Sequence, residues 1–243
     1  MIKSSHILPL FISFVLLIFS CQDKTKLNEN SMYVIGNIEG LRKGDVYLQK
    51  VDNGLIINVD SVKIKGNSNF ILNYKIDSPE IFYLYLKKDD GDSLNDRILF
   101  FGEKGVIEIN TLLKTFESSA EITGSKNQEL LQEYISFNRK FNDQNLDLTQ
   151  KFYQAQIQKN NDQADSLQYK IDNLLKRRYL YTINFAANNT DENIAPYLAL
   201  TRVFDANLAL LDSIAVKMTP EVRESKYGKE LVSFLEKRKA QED

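Results

Sequence analysis

The chain has one cysteine, Cys21, one histidine, His6, no tryptophan and four prolines in 243 residues. Each shortage removes a class of chemistry. A single cysteine allows no intramolecular disulfide and no Cys-x-x-Cys redox couple, and it leaves too few soft ligands for a Cys/His zinc site. His6 falls inside an N-terminal stretch that reads as a secretory leader: Lys3 supplies the positive start, residues 7–19 form an apolar core, and the small Ser20 closes it. Removal of such a leader takes the histidine with it, so the mature body is predicted to lack any imidazole-based triad. Long hydrophobic runs are missing too. The leader's apolar core is shorter than the roughly 20 residues that a helix needs to cross a bilayer. Stability therefore has to come from packing, for which about 220 mature residues are ample.

Charge of one sign is also scarce: 31 basic residues, one of them Lys3 in the leader, stand against 33 acidic ones, for a formal charge of −2. A near-balanced, slightly acidic chain does not carry the concentrated basic patch of a nucleic-acid binder. The one dense basic run, Lys176-Arg177-Arg178, lies in a helical pattern and reads as a solvated helix face.

What is present begins with that cysteine. Ile18-Phe19-Ser20-Cys21 resembles the lipobox of bacterial lipoproteins, in which the chain is cut before the cysteine and the sulfur carries a diacylglycerol thioether. The resemblance implies a leader over 1–20, lipidation at Cys21 and a polar tether over 21–31. It also implies attachment to the membrane through acyl chains, each buried methylene contributing about 0.8 kcal/mol.

Nine of the ten glycines lie between Gly36 and Gly124, which places a change of architecture near residue 124. Before it, Phe70, Leu72, Tyr74 and Ile76 alternate with Ile71, Asn73 and Lys75, the period of a strand with one buried face. Further strands are expected at 33–40, 44–51, 56–66, 81–86, 97–103, 105–110 and 120–123. The turn signals "GNSN" (66–69) and "DDGD" (89–92) predict consecutive antiparallel neighbours. Short strands with tight turns make a small β-sandwich or open barrel over 32–124. After it, Ser125 and Gln128 are spaced as a capping box. Leu130, Leu131, Tyr134, Phe137 and Phe141 then recur at helical spacing, as do Leu167, Ile171, Leu174 and Leu175. Residues 142–165 read as a polar helix-loop-helix corner. Shorter helices are expected at 191–204 and 206–217, and Thr219-Pro220 reads as an N-cap with proline at N1. The fold class is α+β, with an antiparallel β-rich domain at 32–124 and an α-helical region at 125–243.

The order "YVIGNIEG", "GDVYLQKV", "VDSVKIKGNSNFIL", "PEIFYLYL", "FGEKGVIEI", "ITGSKNQELLQEY" resembles a β-rich domain of unknown function. That domain opens many Bacteroidetes lipoproteins, commonly ahead of a thioredoxin-like thiol:disulfide interchange domain. The helical tail resembles the segment that leads into the redox domain. No Cys-x-x-Cys follows in this chain, so the resemblance implies a lipidated module without the family's catalytic residues.

Several clusters invite a site. Asp89, Asp90 and Asp92 in "KDDGDSLND" would be the first calcium ligands to test. The glycine comes too early for an EF-hand and no glutamate stands at position twelve, so a solvated hairpin turn is the leading reading. Glu103 and Glu108 are imaginable as a glycosidase pair only if they face one cleft. "IFYLYL" places Tyr83 and Tyr85 on one face and Phe82, Leu84 and Leu86 on the other, a core pattern first and a ligand surface second. Ser61, Ser93, Ser166 and Ser213 each follow an aspartate in a triplet resembling the Bacteroidetes O-glycosylation acceptor, although Asp-Ser is also an ordinary turn and cap dipeptide. The expectation is a non-enzymatic cell-envelope lipoprotein of the outer membrane, facing the periplasm. It needs no cofactor or metal, binds no nucleic acid, and works as a binding or adaptor module for an envelope protein or ligand. The alternative is an accessory that docks a separately encoded thioredoxin-like protein.

Overall fold

The computed structural model describes residues 30–88 and 97–242, with Glu242 described in its backbone alone. Eight strands come first: β1 (Ser31–Glu39), β2 (Lys43–Asp52), β3 (Leu55–Lys65), β4 (Asn69–Lys75), β5 (Glu80–Lys88), β6 (Arg97–Gly102), β7 (Gly105–Leu112) and β8 (Glu121–Thr123), with a 3-10 turn over Leu113–Thr115. They form two four-stranded sheets, ordered β4-β1-β7-β8 and β3-β2-β5-β6. This is a sandwich, not an open barrel. The fold is α+β, as the sequence implies.

β5 and β6, on either side of "DDGD", pair antiparallel as expected, but β3 and β4, on either side of "GNSN", fall in different sheets. β1 lies between β4, antiparallel, and β7, parallel, with Met32 opposite Gly105 and Glu39 opposite Leu112. "GNSN" is consequently a corner between sheets and not a hairpin. The Asp60 carboxylate of β3 reinforces that corner by accepting from the Asn73 backbone N–H of β4 at 2.7 Å. Period-two patterning states which face of a strand is buried but not which strand lies beside it.

One core fills the space between the sheets, with Met32, Val34, Leu48, Leu72, Phe82, Leu84, Phe100, Ile107 and Ile109 all fully buried. The sheet containing β5 and β6 buries its other face as well. Ile81 and Phe101 join a second core made with the helices, and Tyr83 and Leu99 pack against it. That double burial explains "IFYLYL": a strand covered on both faces reads as a continuous apolar run. Further along the same face the cover stops, and Tyr85 stacks on Tyr47 at 5.9 Å under the Arg97 guanidinium.

Six helices follow: α1 (Lys126–Ile157), α2 (Asn161–Asn188), α3 (Ile194–Arg202), α4 (Leu208–Lys217), α5 (Pro220–Glu224) and α6 (Lys226–Glu242). Ser125 caps α1, accepting from Gln128 N–H at 3.0 Å. The reciprocal half of the expected capping box is absent, because the Gln128 side chain reaches out to the sandwich instead, as described below. The stretch 142–165 is a helix-loop-helix corner as expected, α1 running to Ile157 and α2 starting at Asn161. The reversal occupies 158–160, where Asn160 N–H reaches Ala155 O, Lys159 N–H reaches Gln156 O, and Lys159 takes a φ of 58°. This is a Schellman closure with lysine in the glycine position. Of the two apolar stripes, Phe137 and Leu175 remain substantially exposed, although Phe137 stacks on Tyr181 at 5.0 Å. Thr219 and Pro220 start α5 as read, the Thr219 hydroxyl accepting from Val222 N–H at 3.4 Å.

Helices and sandwich are joined by specific contacts. Phe101 meets Tyr197 of α3 and Tyr227 of α6 edge-on, at 5.6 and 6.0 Å. The Tyr227 hydroxyl, its pKa raised by burial, accepts from Ile81 N–H at 3.0 Å. Lys226 N–H donates to Ser78 Oγ at 3.1 Å, and the Lys226 ammonium pairs with Glu80.

Candidate functional site

The residues singled out by sequence fall apart in space. Cys21, Asp89, Asp90, Asp92 and Ser93 lie outside the described residues. Ser61, Ser166 and Ser213 are exposed and sit within β3, α2 and α4, so none of the three is the turn or cap residue that the ordinary Asp-Ser reading supposes. Lys176 and Arg177 are exposed on α2, a solvated face as read. Glu108 is exposed on β7 and accepts from its neighbour Asn110 at 2.7 Å. Glu103 has quite different partners. Its two carboxylate oxygens take the Lys126 backbone N–H at 2.7 Å and the Asn127 amide at 2.9 Å. The pair is thus not drawn together by shared hydrogen bonds, and Glu103 belongs to a junction that sequence reasoning missed.

Asn127, almost fully buried, is the centre of that junction. Its NH2 group donates to Glu103 and to Glu192, both at 2.9 Å, while its oxygen accepts the Ile194 N–H at the start of α3 at 2.8 Å. Three separate segments are tied by one fully satisfied amide. Beside it a hollow of about 520 Å³ is lined by Asp77, Asp191, Glu192, Glu221 and Glu224, with Lys104 and Lys126. Among the described residues, no group of three histidine, cysteine or carboxylate side chains is placed to hold a metal ion.

Burial, then the charges of Glu103 and Asp191, hold the Glu192 carboxyl above its ordinary pKa, against the Asn127 hydrogen bond and Lys126. A raised acid pKa means that the folded protein keeps a proton which the unfolded chain releases. Its contribution to stability is therefore present below the ordinary carboxylate value and lost as pH rises through the raised one. Glu192→Gln, which imitates the protonated acid and can still accept from Asn127, is expected to be more stable than the parent at pH 7. The gain should be a few tenths of a kcal/mol, because solvent screens this half-exposed group, and should vanish below pH 4. Melting curves across that range check the sign.

The second feature is a groove of about 1000 Å³ along one edge of the sandwich, where β6 and β8 end their respective sheets and α1 runs beside them. Two glutamines one helical turn apart bridge α1 to both edges. Gln128 Oε1 accepts from Phe101 N–H of β6 at 2.8 Å, and Gln132 Nε2 donates to Ile122 O of β8 at 3.5 Å. Positions i and i+4 share a helix face, so one face of α1 serves two sheets. Beyond them the groove has an apolar floor of Phe116, Ile122, Leu131 and Ile135, and the cations Lys114, Arg139 and Arg202 line it. None of the three has an ion-pair partner among the described residues.

The third feature is the outer part of the α1–α2 hairpin. At 1.5 Å per residue α1 extends about 48 Å. Its outer portion is pinned to α2 by a small separate core of Ala155, Ala164 and Leu167, with Leu148 and Phe152 against it. Leu146, Tyr153, Ile157 and Tyr169 stand on this arm between 59% and 81% exposed. No helix among the described residues is long and apolar enough to cross a membrane.

Residues 32–131, from β1 through the first turns of α1, match a family model described as a domain of unknown function, DUF4369. The match agrees with the expectation of a domain of unknown function in the β-rich part of the chain. Comparison with curated proteins and with solved structures gave no match.

Proposed function

We propose that the chain is a cell-envelope lipoprotein of the Bacteroidetes kind, tethered through Cys21, whose sandwich and helices serve as a non-catalytic binding or adaptor module. The observation that carries this reading is the projecting α1–α2 arm, which exposes large apolar side chains on a scaffold with its own small core. Exposed apolar surface that no other element covers is the usual mark of an interaction surface. The leader and the lipobox-like Ile18-Phe19-Ser20-Cys21 support the address.

Two measurements test it. Cys21→Ala should shift the protein from the membrane to the soluble fraction of the native cell, and intact mass of the parent should show a diacylglyceryl thioether on a chain starting at residue 21. An unmodified, uncleaved chain would remove the anchoring half of the reading. Photo-crosslinkers placed at Leu146 and Ile157 in the lipidated protein should trap a discrete partner. A thioredoxin-like partner trapped under both oxidising and reducing conditions would turn the module into a redox accessory. The absence of any discrete adduct from either position would overturn the adaptor half.

A further inference from the structure

The groove beside β6 is more specific than a general binding surface, because hydrogen-bond parity fixes which backbone groups face it. In an antiparallel pair, successive residues alternate between bonding across to the partner and turning away from it. Ile81 of β5 stands opposite Phe101 of β6. Ile81 N–H points to Tyr227 and Phe101 N–H points to Gln128, so this pair turns its backbone groups away from one another. Two-residue alternation then turns Leu99 and Arg97 outward as well. β6 is the last strand of its sheet, and the outward N–H and C=O groups of Leu99 and Arg97 meet no hydrogen-bond partner among the described residues. Gln128 closes the edge at Phe101. The groove opens next to Leu99.

We infer that the groove takes an extended, acidic peptide segment of another protein, added as a fifth strand to the outer edge of β6. The reading deepens the proposed binding function and rests on it. Strand addition uses a row of unpaired backbone groups for affinity and flanking side-chain sites for specificity. The β6 edge supplies the first. For the second, a strand laid there sends alternate side chains toward the apolar floor of Leu131 and Ile135, and the unpaired Lys114, Arg139 and Arg202 stand where carboxylates on that strand meet them. Lys114, Arg139 and Arg202 outnumber the one acid of the lining, Glu117, and that excess of positive charge at the groove favours an acidic guest. An acyl chain would satisfy the floor and leave the backbone groups unpaired. Edge-to-edge pairing with a second copy would set Arg97, Arg139 and Arg202 against the same cations of the copy, and like charges guard such edges.

The probe is a fluorescein-labelled synthetic nonapeptide alternating aspartate or glutamate with valine, titrated by anisotropy against the full chain in detergent at low salt. Three results are expected: saturable binding, at least a tenfold loss when lysines replace the acidic residues, and a similar loss when alternate peptide nitrogens are methylated. Arg139→Glu together with Arg202→Glu, both at exposed positions, should weaken binding at least tenfold with an unchanged melting temperature. In the parent the bound peptide should slow amide exchange at Leu99. Equal binding of the methylated peptide, or unchanged exchange at Leu99, would reduce the effect to charge attraction and overturn strand addition. Saturable uptake of a fatty acid in place of the peptide would overturn it too. Crosslinking from the arm at Leu146 and Ile157 is a separate readout, so failure here leaves the adaptor reading standing.

Discussion

Glu80→Ala should destabilise the protein by about 3–5 kcal/mol, the usual cost of removing one member of a buried ion pair and stranding the other. Glu80 begins β5 and is 5% exposed. One carboxylate oxygen takes the Lys50 ammonium at 2.6 Å and the other takes Lys226, so a single side chain joins β2, β5 and α6. Without it Lys50, whose side chain is 14% exposed, keeps no carboxylate, only the Tyr74 hydroxyl at 3.4 Å and the rings of Tyr74 and Phe82 at 5.2 and 6.0 Å. Lys226→Met should cost far less, about 1–2 kcal/mol, since Glu80 retains Lys50. Adding Lys50→Met to Glu80→Ala should recover part of the loss, because the stranded charge is then gone. Urea denaturation of the four proteins measures these terms. A Glu80→Ala protein within 1 kcal/mol of the parent would show that the pair is solvated and that the α6 attachment lies elsewhere. The same pair has an alkaline signature. Burial disfavours the Lys50 ammonium, but the hydrogen bond and charge of Glu80, with Tyr74, outweigh it and raise its pKa. A raised lysine pKa contributes stability that is complete below the ordinary lysine value and lost as pH climbs through the raised one. The parent should therefore lose more stability than Lys50→Met between pH 10 and pH 12.

Glu80 also shows where sequence reading stops. Strand positions were legible because most strands have one face on a core and alternate accordingly, while β5, covered on both faces, reads as a continuous apolar run. Helix starts were legible because Ser125 and Thr219 are capping residues in capping contexts. Pairing was legible only between consecutive strands, as in β2–β3, β5–β6 and β7–β8: nothing in the alternation of β1 distinguishes β4 and β7 from any other neighbour, and a buried glutamate at the head of β5 looks like a solvated strand end until Lys226, 146 residues on, is seen beside it. The Asn127 junction was hidden for the same reason. Its partners Glu103, Glu192 and Ile194 come from distant segments, and the one local clue was a pair of amides, Asn127 and Gln128, at helix positions otherwise facing the body. Gln128 did give a signal, but a misleading one. Its spacing from Ser125 fits a capping box, while the open N–H of Phe101 on an edge strand claims the side chain. The spacing Gln128–Gln132, one turn apart, is the feature that would have pointed to two sheet edges beside α1.

The turn that delivers α1 to those edges sets the second large effect. Gly124, between β8 and the Ser125 cap, has a φ of +95°, and a Cβ there would stand 2.1 Å from Val106 O. Two penalties combine: a positive φ costs a side-chain-bearing residue about 1–2 kcal/mol, and overpacking against backbone that cannot step aside costs about 1–3 kcal/mol more. Gly124→Ala should therefore lose about 2–5 kcal/mol. The two terms separate at other positions of the same sandwich. Gly54 has a φ of +79° with nothing within 4 Å of the added carbon, so Gly54→Ala measures backbone strain alone and should cost about 1–2 kcal/mol. Gly36 has no positive φ, but its Cβ would stand 1.8 Å from Ile109 O on the neighbouring β7, so Gly36→Ala measures the clash alone. If chemical denaturation gives Gly124→Ala a loss no greater than Gly54→Ala, the chain shifts locally and relieves the clash. In that event Gln128 and Gln132 would be displaced from β6 and β8, and the first sign would be faster amide exchange at Phe101. If the losses add, the close approach of Gly124 to β7 is rigid, and the groove along β6 is held open by the same turn that starts α1.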